Sequence, residues 1–289
     1  MIPSGSVICN PSVPRSQPTL TVPTTHYLLP PFCTLGPAEM MTIHALMDSA
    51  SAISPGGAHI VEAAQALCSE LSAGRDESHN YEHSAAVATL AASLYVDDVR
   101  REDPSSSPED TLRYDIMTVA YLHDVADHKY DADGTAAKRL RLFLQEHYGE
   151  QWQSVYDCIG AISFSKERAS GYGKLTCDIA PYWVGVRNYV SDADKLEALG
   201  TNGARRCALY GQKYVIDKEG SCTNSQMVAH LNQHVIDKLA FLYRYMRTQS
   251  GIKLAIEATE ELTKEVARIN LNLMKGVPLW CRDSDGDLN

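Results

Sequence analysis

The chain has few features of a membrane, disulfide-rich or nucleic-acid-binding protein. It contains no apolar run approaching the roughly 18–20 residues that a membrane-spanning helix needs. Its eight cysteines form no C-x-x-C pair and no zinc-ribbon spacing, which predicts scattered thiols in a reducing compartment. Lys and Arg number 26 against 36 Asp and Glu, so the net charge is −10. Because sequence-independent nucleic-acid binding depends on Lys and Arg, we expect no nucleic-acid polymer as partner. The thiols and the lack of a long apolar run lead us to expect a cytoplasmic protein without a membrane partner.

The first 37 residues differ from the rest in composition. They are rich in Pro, Ser and Thr, and Arg15 is their only charged side chain. Such a segment cannot bury enough apolar surface to fold, so we predict that residues 1–37 are disordered. The lack of acidic residues also suits an organelle transit peptide, but such a peptide needs several arginines, and targeting is therefore the less favoured alternative. Residues 276–289 are expected to form a C-terminal tail.

Residues 38–275 repeat apolar side chains at helical spacing, and clear period-2 alternation is absent. This pattern predicts an all-α domain, a helical bundle with one core. The segment "SFSKERASGYGKLTCDIAPYW" is expected to be irregular, and two long helices should close the domain. The predicted helical segments include "AEMMTIHALMDSASAI", "AHIVEAAQALCSELSAG", "HSAAVATLAASLYVDD", "TLRYDIMTVAYLHDVADH", "SQMVAHLNQHVIDKLAFLYRYMRT" and "GIKLAIEATEELTKEVARINLNLM".

Imidazole and carboxylate side chains recur within these helices or at their ends. A mixed set of His and carboxylate ligands suits a divalent transition metal better than calcium, which binds oxygen only. Taken singly, each residue is weak evidence, since a lone His on an amphipathic helix is more often a surface or core group. The candidates are His79, His83, His123, Asp124, Asp127, Asp192 and Asp194.

The stretch "YLHDVADHK" holds the densest group of these residues. Adjacent His123 and Asp124 would lie about 100° apart on a helix, so both reach one ion only if it sits between them. Asp127, three positions after Asp124, would lie on the same face and could hold a water molecule.

The order of these residues, namely His, then His-Asp, then a distant Asp followed by Lys-Leu, resembles the HD-domain superfamily of metal-dependent phosphohydrolases. The chain is most similar to its YedJ-like branch, from about Asp76 to about Arg268. The motifs that carry the resemblance are "SHNYEHSAAV", "AYLHDVADHK", "AISFSKE", "VSDADKLEALGTNGARR" and "QHVIDKLAFLYRYMRTQSGIKLA".

The resemblance implies one divalent ion, which could be Mn, Fe, Co, Ni or Zn. Asp194 is preferred over Asp192 as a ligand because it stands in the superfamily's "AD-x-L" context. The two aspartates would lie about 200° apart on a helix, so both cannot face one ion. Asp192 is then a cap or an outer-sphere group, and His79 lines the site or supports a ligand. The implied ligands are His83, His123, Asp124 and Asp194.

The resemblance also implies hydrolysis of a phosphoester by metal-activated water, with a nucleotide or a related small phosphate as substrate. Asp127 would orient the water or accept its proton. Lys129 would contact phosphate or pair with Asp127, unless it is only a solvated charge. Lys166 and Arg206 are further candidate phosphate-binding cations.

The sequence departs from the YedJ-like branch at two positions, and these departures leave open whether the protein is catalytically active. Asn80 stands where the branch often has Asp, and Ala86 where it has Arg. The alternative is a non-catalytic HD-domain protein, either a metal or nucleotide sensor or a helical interaction module.

Two other metalloenzyme classes are less favoured. A di-iron oxygenase needs additional histidines, but His128 adjoins Asp127 and His147 lies near a predicted helix end. A zincin protease helix needs Glu after the first His of the pair His79 and His83, and Asn80 stands there.

Overall fold

The computed structural model describes residues 54–76, 79–170 and 179–277, and these residues contain no β-strand. The predictions for residues 1–37, for a helix within 38–53 and for the tail beyond residue 277 lie outside this part of the chain. The all-α prediction is confirmed. The described helices are α1 (Ala58–Leu71), α2 (Tyr81–Glu102), α3 (Asp110–Leu122), α4 (Thr135–Tyr148), α5 (Trp152–Gly160), α6 (Phe164–Ser170), α7 (Pro181–Glu197), α8 (Gly200–Glu219), α9 (Asn224–Asp237) and α10 (Gln249–Met274), with 3₁₀ turns at Gly149–Gln151 and Leu239–Tyr245.

Helix α3 lies at the centre of the hydrophobic core. It packs against α1, α2 and α7. Its buried side chains recur at helical spacing, and full burial of one such side chain contributes about 1.5–3 kcal/mol. This packing sets the ends of α2, α3 and α7 close together. The core residues of α3 include Leu112, Ile116, Val119 and Leu122.

Three predicted element boundaries are wrong. Helix α3 ends at Leu122 and does not continue to residue 128. Part of the segment predicted to be irregular forms α6, where the buried Glu167 pairs with Arg187 and Lys195 of α7. The helix predicted over residues 225–248 is interrupted at Lys238, and a 3₁₀ turn follows. In each case a contact with another part of the chain, or a local turn, overrides the periodicity.

The end of α3 has a local cause. The carboxylate Oδ1 of Asp127 accepts the backbone N–H of Lys129 at 2.9 Å. Such a bond from an Asp to its own backbone two residues on competes with helix formation. Residues 123–126 therefore form a turn, in which the N–H of Asp127 donates to the carbonyl of Asp124 at 3.1 Å.

The N-terminus of α10 is held by two buried carboxylates. Asp192 Oδ2 accepts the backbone N–H groups of Arg247 at 2.8 Å and Thr248 at 2.7 Å. Asp98 Oδ1 accepts the backbone N–H of Ser250 at 2.8 Å. Acceptors at a helix N-terminus satisfy its unpaired N–H groups and favour its dipole, so these residues join α10 to α2 and α7.

No helix in the described residues combines the length and apolar character that a membrane span requires.

We predict that Gly251→Ala destabilises the fold. An added Cβ would lie 2.6 Å from both Asp192 Oδ2 and Thr248 Oγ1. Because these atoms are fixed by hydrogen bonds, the free energy of unfolding should fall by about 1–3 kcal/mol in urea titrations. Gly160→Ala is the control, since no atom lies within 4 Å of its added Cβ, and it should be neutral or stabilising by up to about 1 kcal/mol. Equal losses in both variants would contradict the role of the α10 anchor.

Candidate metal centre

Four predicted ligands come together from three segments. His83 lies in the first turn of α2, His123 and Asp124 follow the end of α3, and Asp194 lies near the end of α7. His83 Nε2 is 3.4 Å from Asp194 Oδ1 and 3.7 Å from Asp124 Oδ2. His123 Nε2 is 3.4 Å from Asp124 Oδ2 and 3.8 Å from Asp194 Oδ1. Two nitrogens and two oxygens thus face one small volume.

The N-cap of α2 fixes the position of His83. Asn80 Oδ1 accepts the backbone N–H of His83 at 3.0 Å, which satisfies one of the free donors of the first turn. Asn is as good an N-cap as Asp. The departure from the resembled branch at Asn80 therefore keeps this cap intact.

The ring of His123 has one nitrogen engaged and one buried without a hydrogen-bond partner. Nδ1 lies 2.7 Å from the carbonyl oxygen of Ala120 and donates to it. This bond directs Nε2 into the cluster, where it is buried and has no hydrogen-bond partner among the described residues, with Asp124 Oδ2 3.4 Å away. A buried polar atom without a partner is costly. The arrangement fits a metal-ligating imidazole, whose other nitrogen typically donates to a carbonyl or carboxylate.

His83 is held in the same way by a carboxylate that the sequence reasoning missed. Its Nδ1 lies 3.1 Å from Glu197 Oε2, so Nε2 is the nitrogen that faces Asp194 and Asp124. Arg206 in turn binds Glu197, with Nη1 2.6 Å from Oε1 and Nη2 2.5 Å from Oε2. Glu197 follows Asp194 by three residues, a spacing that places both on one helix face. That spacing was the available signal.

The charges of the cluster shift one another's pKa values. Burial alone would lower the pKa of His83, but Asp194 and Glu197 outweigh it and raise this pKa to about 10. Burial also disfavours the charged form of His123, yet Asp124 raises its pKa. The carboxyl pKa values of Asp124 and Asp194 are lowered, because the imidazoles outweigh the effect of burial. These shifts favour a charged ring at His83 and charged carboxylates beside it.

These residues fit a divalent transition metal. Ligand atoms of His83, His123 and Asp124 all lie within 4.8 Å of one another, and Asp194 Oδ1 adds a second carboxylate oxygen. Mixed imidazole and carboxylate ligation is typical of such ions. Asp192 of α7, the alternative to Asp194, faces the start of α10, where its Oδ2 accepts the backbone N–H groups of Arg247 and Thr248.

Asp127 lies beyond the turn that carries Asp124, and its neighbours contact it. Lys129 Nζ is 3.9 Å from Asp127 Oδ2, and His128 Nδ1 is 3.2 Å from Asp127 Oδ1. The side chains of Lys129 and His128 are both exposed. In this structure Lys129 thus pairs with Asp127 and stays exposed to solvent, and its contact with phosphate stays a prediction.

The other predicted site residues have protein partners. Nδ1 of His79 lies 3.3 Å from both Asp76 Oδ1 and the hydroxyl of Tyr130, and its ring centroid is 6.5 Å from that of His83. Lys166 is exposed, and its Nζ donates to the carbonyl of Gly160 at 2.8 Å.

His147 lies beside Phe143, with ring centroids 4.4 Å apart. Arg206, predicted to bind phosphate, is engaged by Glu197. Its role in binding substrate stays a prediction.

Comparison with known proteins yields similarity of structure only. No protein-family model and no curated protein matches the chain. A crystal structure from Lactobacillus plantarum aligns with a TM-score of 0.53 at 19% identity, over 76% of this chain and 98% of that one. Bacillus subtilis YpgQ in complex with ADP aligns with a TM-score of 0.48 at 18% identity, over 76% and 96%. Lin1889 from Listeria innocua aligns with a TM-score of 0.48 at 17% identity, over 75% and 96%. The Lactobacillus protein shares the fold.

We predict that binding of Mn²⁺ or Zn²⁺ to the cluster releases a proton from His83. Below pH 10 this ring is protonated in the ion-free protein, whereas a ligating imidazole must be neutral. The apparent affinity should therefore rise with pH, by about tenfold per pH unit for each displaced proton. Calorimetric titrations in two buffers of different ionisation enthalpy count the protons. An affinity that is constant between about pH 6 and pH 8 would contradict the proposed ligation by His83.

Proposed function

We propose that the protein is a metal-dependent phosphohydrolase of the HD-domain type, acting on a small phosphoester. The observation that carries the proposal is the convergence of four ligand-type side chains on one small volume, in which His123 Nε2 is buried without a hydrogen-bond partner among the described residues. The order of these residues in the sequence supports it, because that order resembles the superfamily motif. The ligands proposed are His83, His123, Asp124 and Asp194.

The chemistry requires a nucleophilic water, neutralised charge on the phosphoryl oxygens and a proton acceptor. A divalent ion held by the four ligands would polarise a phosphoryl oxygen and lower the pKa of a bound water towards about 7. His83 and His123 direct their Nε2 atoms into the cluster because Glu197 and the carbonyl of Ala120 engage their Nδ1 atoms.

Asp127 is the proposed residue that orients the water and accepts its proton. It is three positions from Asp124 across a tight turn, and the backbone N–H of Lys129 fixes its carboxylate. Its side chain is mostly, but not fully, buried, with 18% exposed. The carboxylate is thus oriented by the protein and still open to solvent, as a proton acceptor for water requires.

The proposed substrate is a nucleotide or a related small phosphate. The net charge of −10 disfavours a polyanionic polymer but allows one phosphate group to be held by local cations. Lys129 is such a cation, because it lies at Asp127 and most of its side chain is exposed. Nucleotides are therefore the first compounds to test, followed by sugar phosphates.

We predict different losses in Asp124→Asn and Asp127→Asn. Asp124→Asn removes a proposed ligand, so both metal content and phosphoester turnover should be lost. Asp127→Asn leaves the four ligands in place, so metal content should persist while kcat falls by about 10²–10⁴-fold. Metal analysis of purified protein and a nucleotide phosphatase screen with added divalent ions provide the measurements.

Asp97→Asn is the matched control, since Asp97 is exposed on α2 and the change removes the same charge. It should keep the metal content and the turnover of the wild type. A wild type that binds a divalent ion but turns over no phosphoester faster than Asp124→Asn would refute hydrolysis and leave the non-catalytic sensor. A wild type that binds no divalent ion would refute the metal centre itself.

A further inference from the structure

Arg75, on the loop between α1 and α2, binds the turn that carries Asp124. Its Nη1 donates to the carbonyl oxygen of Asp124 at 2.8 Å, and its Nη2 donates to that of Val125 at 2.7 Å. A planar guanidinium can make two such bonds at once, which fixes orientation as well as distance. Because α3 has already ended at Leu122, these two carbonyls lie beyond its hydrogen-bonding pattern.

Tyr130 closes over the guanidinium from the other side of the turn. The Cζ atom of Arg75 lies 4.8 Å from the centroid of the Tyr130 ring, within range of a cation–π contact. The Tyr130 hydroxyl donates to Asp76 Oδ2, next to Arg75 in sequence. Arg75 and Asp76, in the loop before α2, are thus joined to the segment from Asp124 to Tyr130.

We propose that Arg75 is a positioning residue for the metal centre, an inference that rests on the proposed function. By fixing the peptide units of Asp124 and Val125, it sets the direction in which the Asp124 carboxylate leaves the turn. The N–H of Asp127 donates to the carbonyl of Asp124, so the same turn also carries the proposed proton acceptor. A displacement of about 1 Å at a reacting group can cost 10²-fold in rate.

The interactions of Arg75 match this role better than a role in binding substrate. Both Nη atoms are bonded to carbonyl oxygens, and one face of the guanidinium lies against Tyr130. These bonds hold the guanidinium against the backbone of the turn. The resemblance that located the ligands did not assign a role to Arg75, since its contacts lie 49 and 50 residues away along the chain.

The test compares metal affinity in Arg75→Ala, Arg75→Lys and the control Arg139→Ala. Arg139 is an exposed arginine that pairs with Glu70, so the control removes the same side chain outside the site. We expect the Kd for Mn²⁺, measured by calorimetry, to rise about 10–100-fold in Arg75→Ala, as is typical for a residue that orients a ligand. Arg75→Lys, which keeps the charge but not the planar fork, should have an intermediate Kd. Arg139→Ala should match the wild type.

Chemical rescue separates positioning from general destabilisation. Methylguanidinium can occupy the space left in Arg75→Ala and restore the two bonds to the carbonyls. It should therefore lower the Kd for Mn²⁺ in Arg75→Ala, with no effect on the wild type or Asp124→Asn. Affinity that methylguanidinium leaves unrestored would overturn the inference. If Arg75→Ala does not fold, Arg75→Lys decides, and a Kd equal to that of the wild type overturns the inference.

The outcomes also separate this inference from the proposed function. If the wild type binds Mn²⁺ and Arg75→Ala binds it equally well, the inference fails and the hydrolase proposal stands. If Arg75→Ala binds weakly and is rescued, but no phosphoester is hydrolysed by the wild type, the inference holds and hydrolysis fails. If the wild type binds no divalent ion, both fail.

Discussion

Two histidine rings are buried in this helical protein, and much of the structure around them depends on how that burial is compensated. His83 is 6% exposed and His123 is 8% exposed. Burial alone favours the neutral ring, and an uncompensated buried charge costs several kcal/mol. Asp124 and Asp194 supply the opposite charge at 3.4–3.8 Å. Charged rings are therefore stable at these buried positions only beside the two partly exposed carboxylates, and the chain must bring all four side chains together.

The four side chains of the cluster lie at or near the ends of helices. The cap at Asn80 starts α2 three residues before His83, and the turn after Leu122 lets His123 and Asp124 both face the cluster. Beyond Glu197, the chain breaks and restarts as α8 at Gly200, whose φ of +68° suits glycine and strains other residues. This break brings Arg206 back to Glu197.

The sequence predicted the parts of the molecule that depend on local pattern. The all-α class follows from apolar periodicity, and the candidate ligands follow from the resemblance of their order to the HD-domain superfamily. Parts that depend on distant partners were missed. Apolar periodicity places Glu167 in an irregular stretch, because periodicity does not detect the pairing of this residue with Lys195 at 2.9 Å. Glu197 was overlooked because its partner His83 lies 114 residues away. The choice between Asp192 and Asp194 depends partly on local pattern and partly on distant partners. Helical geometry predicts that the two aspartates lie on different faces of the helix, but it does not predict which face meets the histidines.

The contacts of helix α7 explain why Asp194, and not Asp192, faces the histidines. A helix buried on every side is normally apolar all round, yet α7 directs charged side chains at partners in three directions, and Asp192 and Lys195 among them are buried. Asp194 faces the two histidines, Asp192 holds the start of α10, and Lys195 pairs with Glu167 of α6. Rotation of α7 about its axis would break all three sets of contacts at once and leave buried charges without partners. The orientation of the Asp194 carboxylate is thus fixed by the contacts of α7 with α6 and α10 as well as by the residues that it faces.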